Sequence, residues 1–105
     1  MAIGVYYQPD SLTFEQYARF YERLDQYLQE KGLDSPEGAL HLSLFGEDGQ
    51  LAGFEVWESE QAYRNFEEVL IPILAEVGIQ GAQAQIVPIH RLAQAEAEVP
   101  WVWPR

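Results

Sequence analysis

The chain has 105 residues, enough for one folded domain and too few for two. It contains no cysteine, which excludes disulfides, thiol catalysis and zinc–thiolate sites. The formal net charge is −11 and the six basic residues are scattered, so the clustered basic surface of a nucleic-acid-binding protein is not predicted. No apolar run is long enough to span a membrane and the N-terminus lacks a basic signal-peptide region, so we expect a cytoplasmic protein.

The first part of the chain predicts a strand followed by a helix. Residues 2–7 alternate as a strand does, with Ile3 and Val5 on one face. Thr13 opens the helix, because Gln16 stands three residues later and completes a capping box. Gly32 is typical of the position just after a helix. The predicted apolar stripe, with residues three or four apart, consists of Phe14, Tyr17, Tyr21, Leu24 and Leu28.

Residues 39–57 predict a β-hairpin. Apolar and polar residues alternate in both arms, and Asp48-Gly49 between them is typical of a tight turn. The apolar positions are Leu40, Leu42 and Leu44 in the first arm, and Phe54 and Val56 in the second.

The turn allows two hairpin registers. A two-residue turn pairs Glu47 with Gln50 and sets Leu42 opposite Glu55. A three-residue loop pairs Gly46 with Gln50 and sets His41 opposite Glu55. Because only the second register places the apolar residues of both arms on one face, we predict the second.

The second part of the chain predicts a helix and a last strand. Ser59 can cap the helix, and Pro72 within it predicts a kink or break near residues 70–71. Residues 83–92 read as the last strand, and the domain is expected to cover residues 1–92. Residues 93–105, which include Trp101 and Trp103, are predicted to form a tail that packs on its own domain or on a partner subunit.

The order strand, helix, strand, strand, helix, strand predicts a ferredoxin-like α+β fold with a four-stranded antiparallel sheet. Both helices then cover the same face of the sheet. The other face is predicted to show Tyr6, Phe45, Leu51, Trp57 and Ile86. An apolar surface of that size marks an interaction site, so we expect a homodimer packed sheet against sheet.

The chain resembles the small dimeric α/β-barrel proteins related to the antibiotic biosynthesis monooxygenases. The similarity covers residues 2–92 and rests on short motifs. These motifs are His-Leu-Ser from His41, Glu47-Asp48-Gly49, Val56-Trp57-Glu58-Ser59-Glu60-Gln61-Ala62-Tyr63 leading to Phe66, Pro72, and Val87-Pro88-Ile89-His90. The resemblance implies a homodimer whose sheets form a barrel with a cavity for a small molecule. Relatives of this kind include cofactor-free oxygenases of polycyclic aromatics and haem-degrading enzymes.

The candidate catalytic residues are His41, Glu55 and His90. In the predicted register Glu55 orients His41 as a general base, and His90 polarises an oxygen of the substrate. Tyr6, Ser43 and Trp57 are the candidate ligand-binding residues, suited to an aromatic or apolar molecule. We expect no cofactor.

Two alternatives stay open at this point. The His41–Glu55 pair can be a purely structural cross-strand contact in a non-catalytic dimeric module. Two histidines and a carboxylate are also the ligand types of a non-haem iron site, but these residues come from separate strands at no recognisable spacing. We therefore predict no metal.

Overall fold

The computed structural model describes residues 1–93 and shows six elements in the predicted order. They are β1 (Ile3–Tyr7), α1 (Phe14–Lys31), β2 (Ala39–Phe45), β3 (Ala52–Trp57), α2 (Glu60–Glu76) and β4 (Ala84–Pro88). The strands form one antiparallel sheet in the order β2-β3-β1-β4. Both helices pack on one face, so the ferredoxin-like α+β fold is confirmed. Most of the predicted tail, including Trp101 and Trp103, lies outside the described residues.

The start and end of α1 follow its capping residues. The Thr13 hydroxyl accepts a hydrogen bond from the backbone N–H of Gln16 at 3.0 Å, and the Gln16 side chain accepts one from the Thr13 N–H at 3.1 Å. Gly32 ends the helix with a left-handed φ of 71°. The Asp48 carboxylate accepts a further bond from the N–H of Phe14 at 2.9 Å. This last bond fastens the hairpin turn to the start of α1.

The helices differ from prediction in two places. Phe20 lies off the predicted stripe but is buried beside Tyr17, with 5.7 Å between ring centroids, because α1 covers the sheet with a wider face. α2 continues through Pro72, so the helix does not break at residues 70–71. Pro72 is exposed whereas Ile73 is buried, so the proline lies on the outer side of the helix while its neighbour packs in the core.

The predicted hairpin register is wrong. Leu42 pairs with Glu55, which is the register of the two-residue turn. The N–H of Gln50 donates to the carbonyl oxygen of Glu47 at 2.8 Å. A slip of one residue exchanges the two faces of a strand, so His41 does not stand opposite Glu55.

The reason for the observed register is that β3 is buried on both faces. On one face, the Trp57 ring packs against Tyr63 and Phe66, with centroid distances of 5.8 and 5.2 Å. On the other face, Val56 is only 2% exposed and Phe54 is half-buried beside it. The prediction assumed that the hairpin has one buried face, so that the apolar residues of both arms must share it. Because β3 is buried on both faces, its apolar residues do not have to lie on the same face as those of β2.

The observed register sorts the strand residues between two faces of the sheet. The covered face, which packs against the helices, carries Ile3, Val5, Tyr7, Glu55, Trp57 and Ile86. The open face carries Gly4, Tyr6, His41, Ser43, Phe45, Ala52, Phe54, Val56, Gln85 and Val87. Of the residues predicted on the open face, Tyr6 and Phe45 are confirmed there. Leu51, Trp57 and Ile86 pack with the helices instead, because the hairpin register is shifted and β4 presents its even-numbered residues to the helices.

Candidate functional site

The structure separates the predicted catalytic residues. His41 lies on the open face and Glu55 on the covered face, so the predicted His41–Glu55 pair does not form. His90 follows β4, and β2 and β4 are the two edges of the sheet. Three strand spacings put His41 and His90 at least about 14 Å apart, too far to act on one atom within a single subunit. The catalytic roles of the two histidines stay predictions.

The predicted ligand-binding residues are also divided between the faces. Tyr6 and Ser43 lie on the open face, where the Tyr6 hydroxyl donates to the side-chain oxygen of Gln8 at 3.3 Å. The Ser43 hydroxyl donates to the carbonyl oxygen of Phe54, also at 3.3 Å. Trp57 lies on the covered face. The fold therefore divides the predicted set into Glu55 and Trp57 on the covered face, joined by a hydrogen bond, and His41, Ser43 and Tyr6 on the open face.

Glu55 is a carboxylate buried between the sheet and the helices, with 9% of its surface exposed. The indole N–H of Trp57 donates to its Oε1 at 3.0 Å. Burial raises the pKa of Glu55, whereas hydrogen bonds from Trp57 and Tyr7 lower it, and the effect of burial is the largest. Glu55 therefore binds a proton more readily than an exposed glutamate does.

Three tyrosines surround this carboxylate. Burial raises the pKa of Tyr7, and the negative charge of Glu55 raises it further. Burial also raises the pKa of Tyr17 and of Tyr63, with a smaller contribution from Glu55 in each case. All three phenols therefore stay protonated in neutral solution. Tyr7 hydrogen-bonds to Glu55, whereas Tyr63 hydrogen-bonds to Glu67.

A small apolar cavity lies beside this cluster. Its volume is about 30 Å³, and Tyr7, Tyr17 and Tyr63 line it together with apolar side chains from both helices and the loops beside them. Tyr7 links the cavity to Glu55, because its ring lines the cavity and its hydroxyl bonds to the carboxylate. The volume holds a molecule the size of water, so an aromatic ligand needs the walls to move outward.

A larger groove of about 570 Å³ lies between the end of α1 and the start of α2. Its charged residues are Lys31, Glu37 and Glu58, and all three are exposed. Exposed charges are screened by water and hold a ligand weakly. The buried cluster around Glu55 is therefore the better candidate site.

His41, Glu55 and His90, the residues of the iron-site alternative, do not come together. Within residues 1–93, no three His, Cys, Asp or Glu side chains are close enough to hold a metal ion. In the same part of the chain, neither helix is both long and apolar enough to cross a membrane.

Comparison with known proteins identifies the fold. No family model and no curated protein sequence matches the chain. SnoaB, a cofactor-independent oxygenase from Streptomyces nogalater, matches with a TM-score of 0.63 at 10% identity, over 87% of this chain and 95% of its own. The chain has the fold of the antibiotic biosynthesis monooxygenase-like proteins.

Two further structures with this monooxygenase-like fold are candidate antibiotic biosynthesis monooxygenases. The one from Chloroflexus aurantiacus has a TM-score of 0.57 and 15% identity, covering 89% of this chain and 98% of its own. The one from Deinococcus radiodurans has a TM-score of 0.56 and 14% identity, covering 92% and 100%. At such identities the likeness establishes a shared fold alone, since one fold supports many activities.

The sequence analysis did not predict that Tyr7, Tyr17 and Tyr63 lie near Glu55, although signals for Tyr7 and Tyr63 exist. Tyr7 shares the parity of Ile3 and Val5, which were expected to face the helices. Tyr63 stands three residues before Phe66, a spacing that puts both on one helix face. Neither signal shows that these side chains meet Glu55, because that depends on the register of the hairpin.

Proposed function

We propose that the protein binds a small aromatic or apolar molecule between the helices and the sheet, and that Glu55 accepts a proton from it. The single observation that supports this most is a buried carboxylate with a raised pKa beside an apolar cavity. Perturbed titratable groups next to a cavity are typical of functional sites. The proposed class is a monooxygenase-like enzyme that works without a cofactor; SnoaB, which shares the fold, is a cofactor-independent oxygenase.

The proposed chemistry begins with one proton transfer. An O–H or acidic C–H bond of the ligand breaks, the proton moves to a carboxylate oxygen of Glu55, and the electron pair stays on the ligand. A base is most effective when its pKa is close to the working pH, and burial moves Glu55 in that direction. The hydroxyl of Tyr7 can then donate to the ligand anion. In the oxygenase version of the proposal, this electron-rich anion reacts with dioxygen, which is the oxidant. One oxygen atom stays on the ligand as a carbonyl, and the other leaves as water with the two hydrogens that the ligand loses.

We also propose that two copies associate through the open face. The chain carries 23 charged side chains, 17 acidic and 6 basic, yet the strand residues of the open face include none. Interface centres are depleted of charged residues and enriched in aromatic ones. Tyr6 and Phe45 stand there with 6.4 Å between ring centroids, and Phe45 is 48% exposed. The same face supports the second candidate function, a non-catalytic dimeric interaction module.

Binding of phenol and of benzene tests the role of Glu55, because the two molecules differ by one acidic O–H. The indole N–H signal of Trp57, followed by NMR, reports on the site. In the wild-type protein we expect phenol to bind at least several-fold more tightly than benzene. In Glu55→Gln, whose side chain keeps its size but loses its basicity, that preference should become clearly smaller, because a neutral amide oxygen accepts the phenol O–H more weakly than a carboxylate does.

Two results would contradict the proposal. One is an equal preference for phenol in the wild type and in Glu55→Gln. The other is a set of ligand-induced shifts confined to the open face, near Tyr6 and Phe45, which would favour the interaction module.

A further inference from the structure

Gly53 lies directly beneath the ring of Tyr7. The two residues are paired across β3 and β1. A Cβ atom added to Gly53 would lie 2.5 Å from Cζ and 2.6 Å from the hydroxyl oxygen of Tyr7. Real Cβ atoms do not approach other atoms this closely, so any side chain at position 53 would force the Tyr7 ring away.

The backbone gives no other reason for a glycine here. Gly53 is within a regular strand, and its φ is not among the positive values found at other glycines such as Gly32 and Gly49. Glycine within a strand weakens it, because it loses more conformational freedom on folding and has no side chain to pack. The glycine at position 53 leaves room for the Tyr7 ring, and this offsets the cost.

That space decides where the Tyr7 hydroxyl points. Glu55 follows Gly53 by two residues on the same strand, so both face the helices. With no side chain at position 53, the Tyr7 ring lies flat across β3 and its hydroxyl reaches the Glu55 carboxylate. We propose that Gly53 is a positioning residue, whose missing side chain sets the Tyr7 hydroxyl against Glu55.

The functional meaning of this inference rests on the proposed role of Glu55 as the proton acceptor. Its test measures the titration of Glu55 and not ligand binding. The role of Gly53 can therefore be refuted while the ligand-binding role of Glu55 stands, and the reverse. Gly4 supplies a matched control. A Cβ added there would lie 2.7 Å from the ring of Phe54, which is similar crowding on the face of the sheet opposite to the Glu55 side chain.

The experiment follows the indole N–H signal of Trp57 by NMR as the pH is varied, since this group donates to Glu55. Tyr7→Phe should raise the titration midpoint of Glu55 by about one pH unit, because a hydrogen bond to the charged form is lost. Gly53→Ala should raise it by a similar amount, and the double variant Gly53→Ala/Tyr7→Phe no further. Gly4→Ala should leave the midpoint in place.

An unchanged midpoint in Gly53→Ala, or an equal change in Gly4→Ala, would overturn the inference. A stability measurement covers the case in which Gly53→Ala folds poorly. In a Tyr7→Ala background the ring is absent and a Cβ at position 53 has room, so Gly53→Ala should lower the melting temperature far less than it does with Tyr7 present. Equal losses in both backgrounds would also contradict the role of Tyr7.

Discussion

The substitution Glu55→Gln should change how the stability of the protein depends on pH. The folded-state pKa of Glu55 is raised from its ordinary value of 4.5, chiefly by burial. Well below pH 4.5, Glu55 is protonated in both the folded and the unfolded chain, so its burial then causes no loss of stability through ionisation. As the pH rises, the unfolded chain releases the proton first, so the wild-type protein loses stability until the pH passes the raised pKa. Glutamine does not titrate and should escape this loss.

The size of the effect follows from the same linkage. Each unit by which the pKa of Glu55 is raised corresponds to about 1.4 kcal/mol of lost stability above the folded pKa. Glu55 is almost wholly buried, so solvent screening reduces this figure little. Glu55→Gln should therefore match the wild type near pH 4.5 and exceed it at pH 8, provided that the amide oxygen still accepts the Trp57 bond.

Urea unfolding at several pH values between 4.5 and 8 measures this difference. The control is Glu58→Gln, because it removes the same charge from an exposed side chain of the same region. In a chain of net charge −11, any loss of a negative charge relieves some repulsion, and the control measures that general gain. If the two variants gain stability equally at pH 8, the carboxylate of Glu55 carries no burial penalty and the reasoning is refuted.

Three further predictions concern single side chains. Trp57→Phe should lower the free energy of unfolding at pH 8 by about 2–3 kcal/mol, since Glu55 loses a charged hydrogen bond; a loss below 0.5 kcal/mol in urea unfolding would contradict this. Asp48→Ala should cost about 1 kcal/mol in thermal unfolding by removing the acceptor of the Phe14 N–H, whereas Glu47→Ala, at an exposed neighbour, should cost little. Phe45→Glu should convert a dimer to a monomer in sedimentation analysis, whereas Ile71→Glu, on an exposed helix surface, should not; a wild-type monomer would refute the proposed interface.

The sequence alone determined the elements and their order. Helix ends depend on side chains within a few residues of one another, such as Thr13 with Gln16, and the structure shows these same bonds. Six elements in this order have few ways to cover one sheet, so the ferredoxin-like topology followed from local patterns.

Tertiary structure decided the hairpin register and, with it, the site. Both registers agree with the alternation in residues 39–57, because alternation fixes which residues share a face of one strand but not which face meets the helices. That choice depended on Trp57 packing under α2 and on Val56 being buried from the other side. In this register, Glu55 lies on the face that the helices cover and His41 lies on the open face.

The chemical character of Glu55 is likewise a property of the folded chain. In the sequence it is one of 17 acidic residues and carries no motif of its own. Its raised pKa arises from burial, and its hydrogen bonds come from Trp57 on its own strand and from Tyr7 on the neighbouring one. Loss of contact with water, and a hydrogen bond from a residue distant in sequence, arise only when the chain packs. The sequence therefore predicted Glu55 as the partner of His41, whereas the fold gives it Trp57 and Tyr7 as partners.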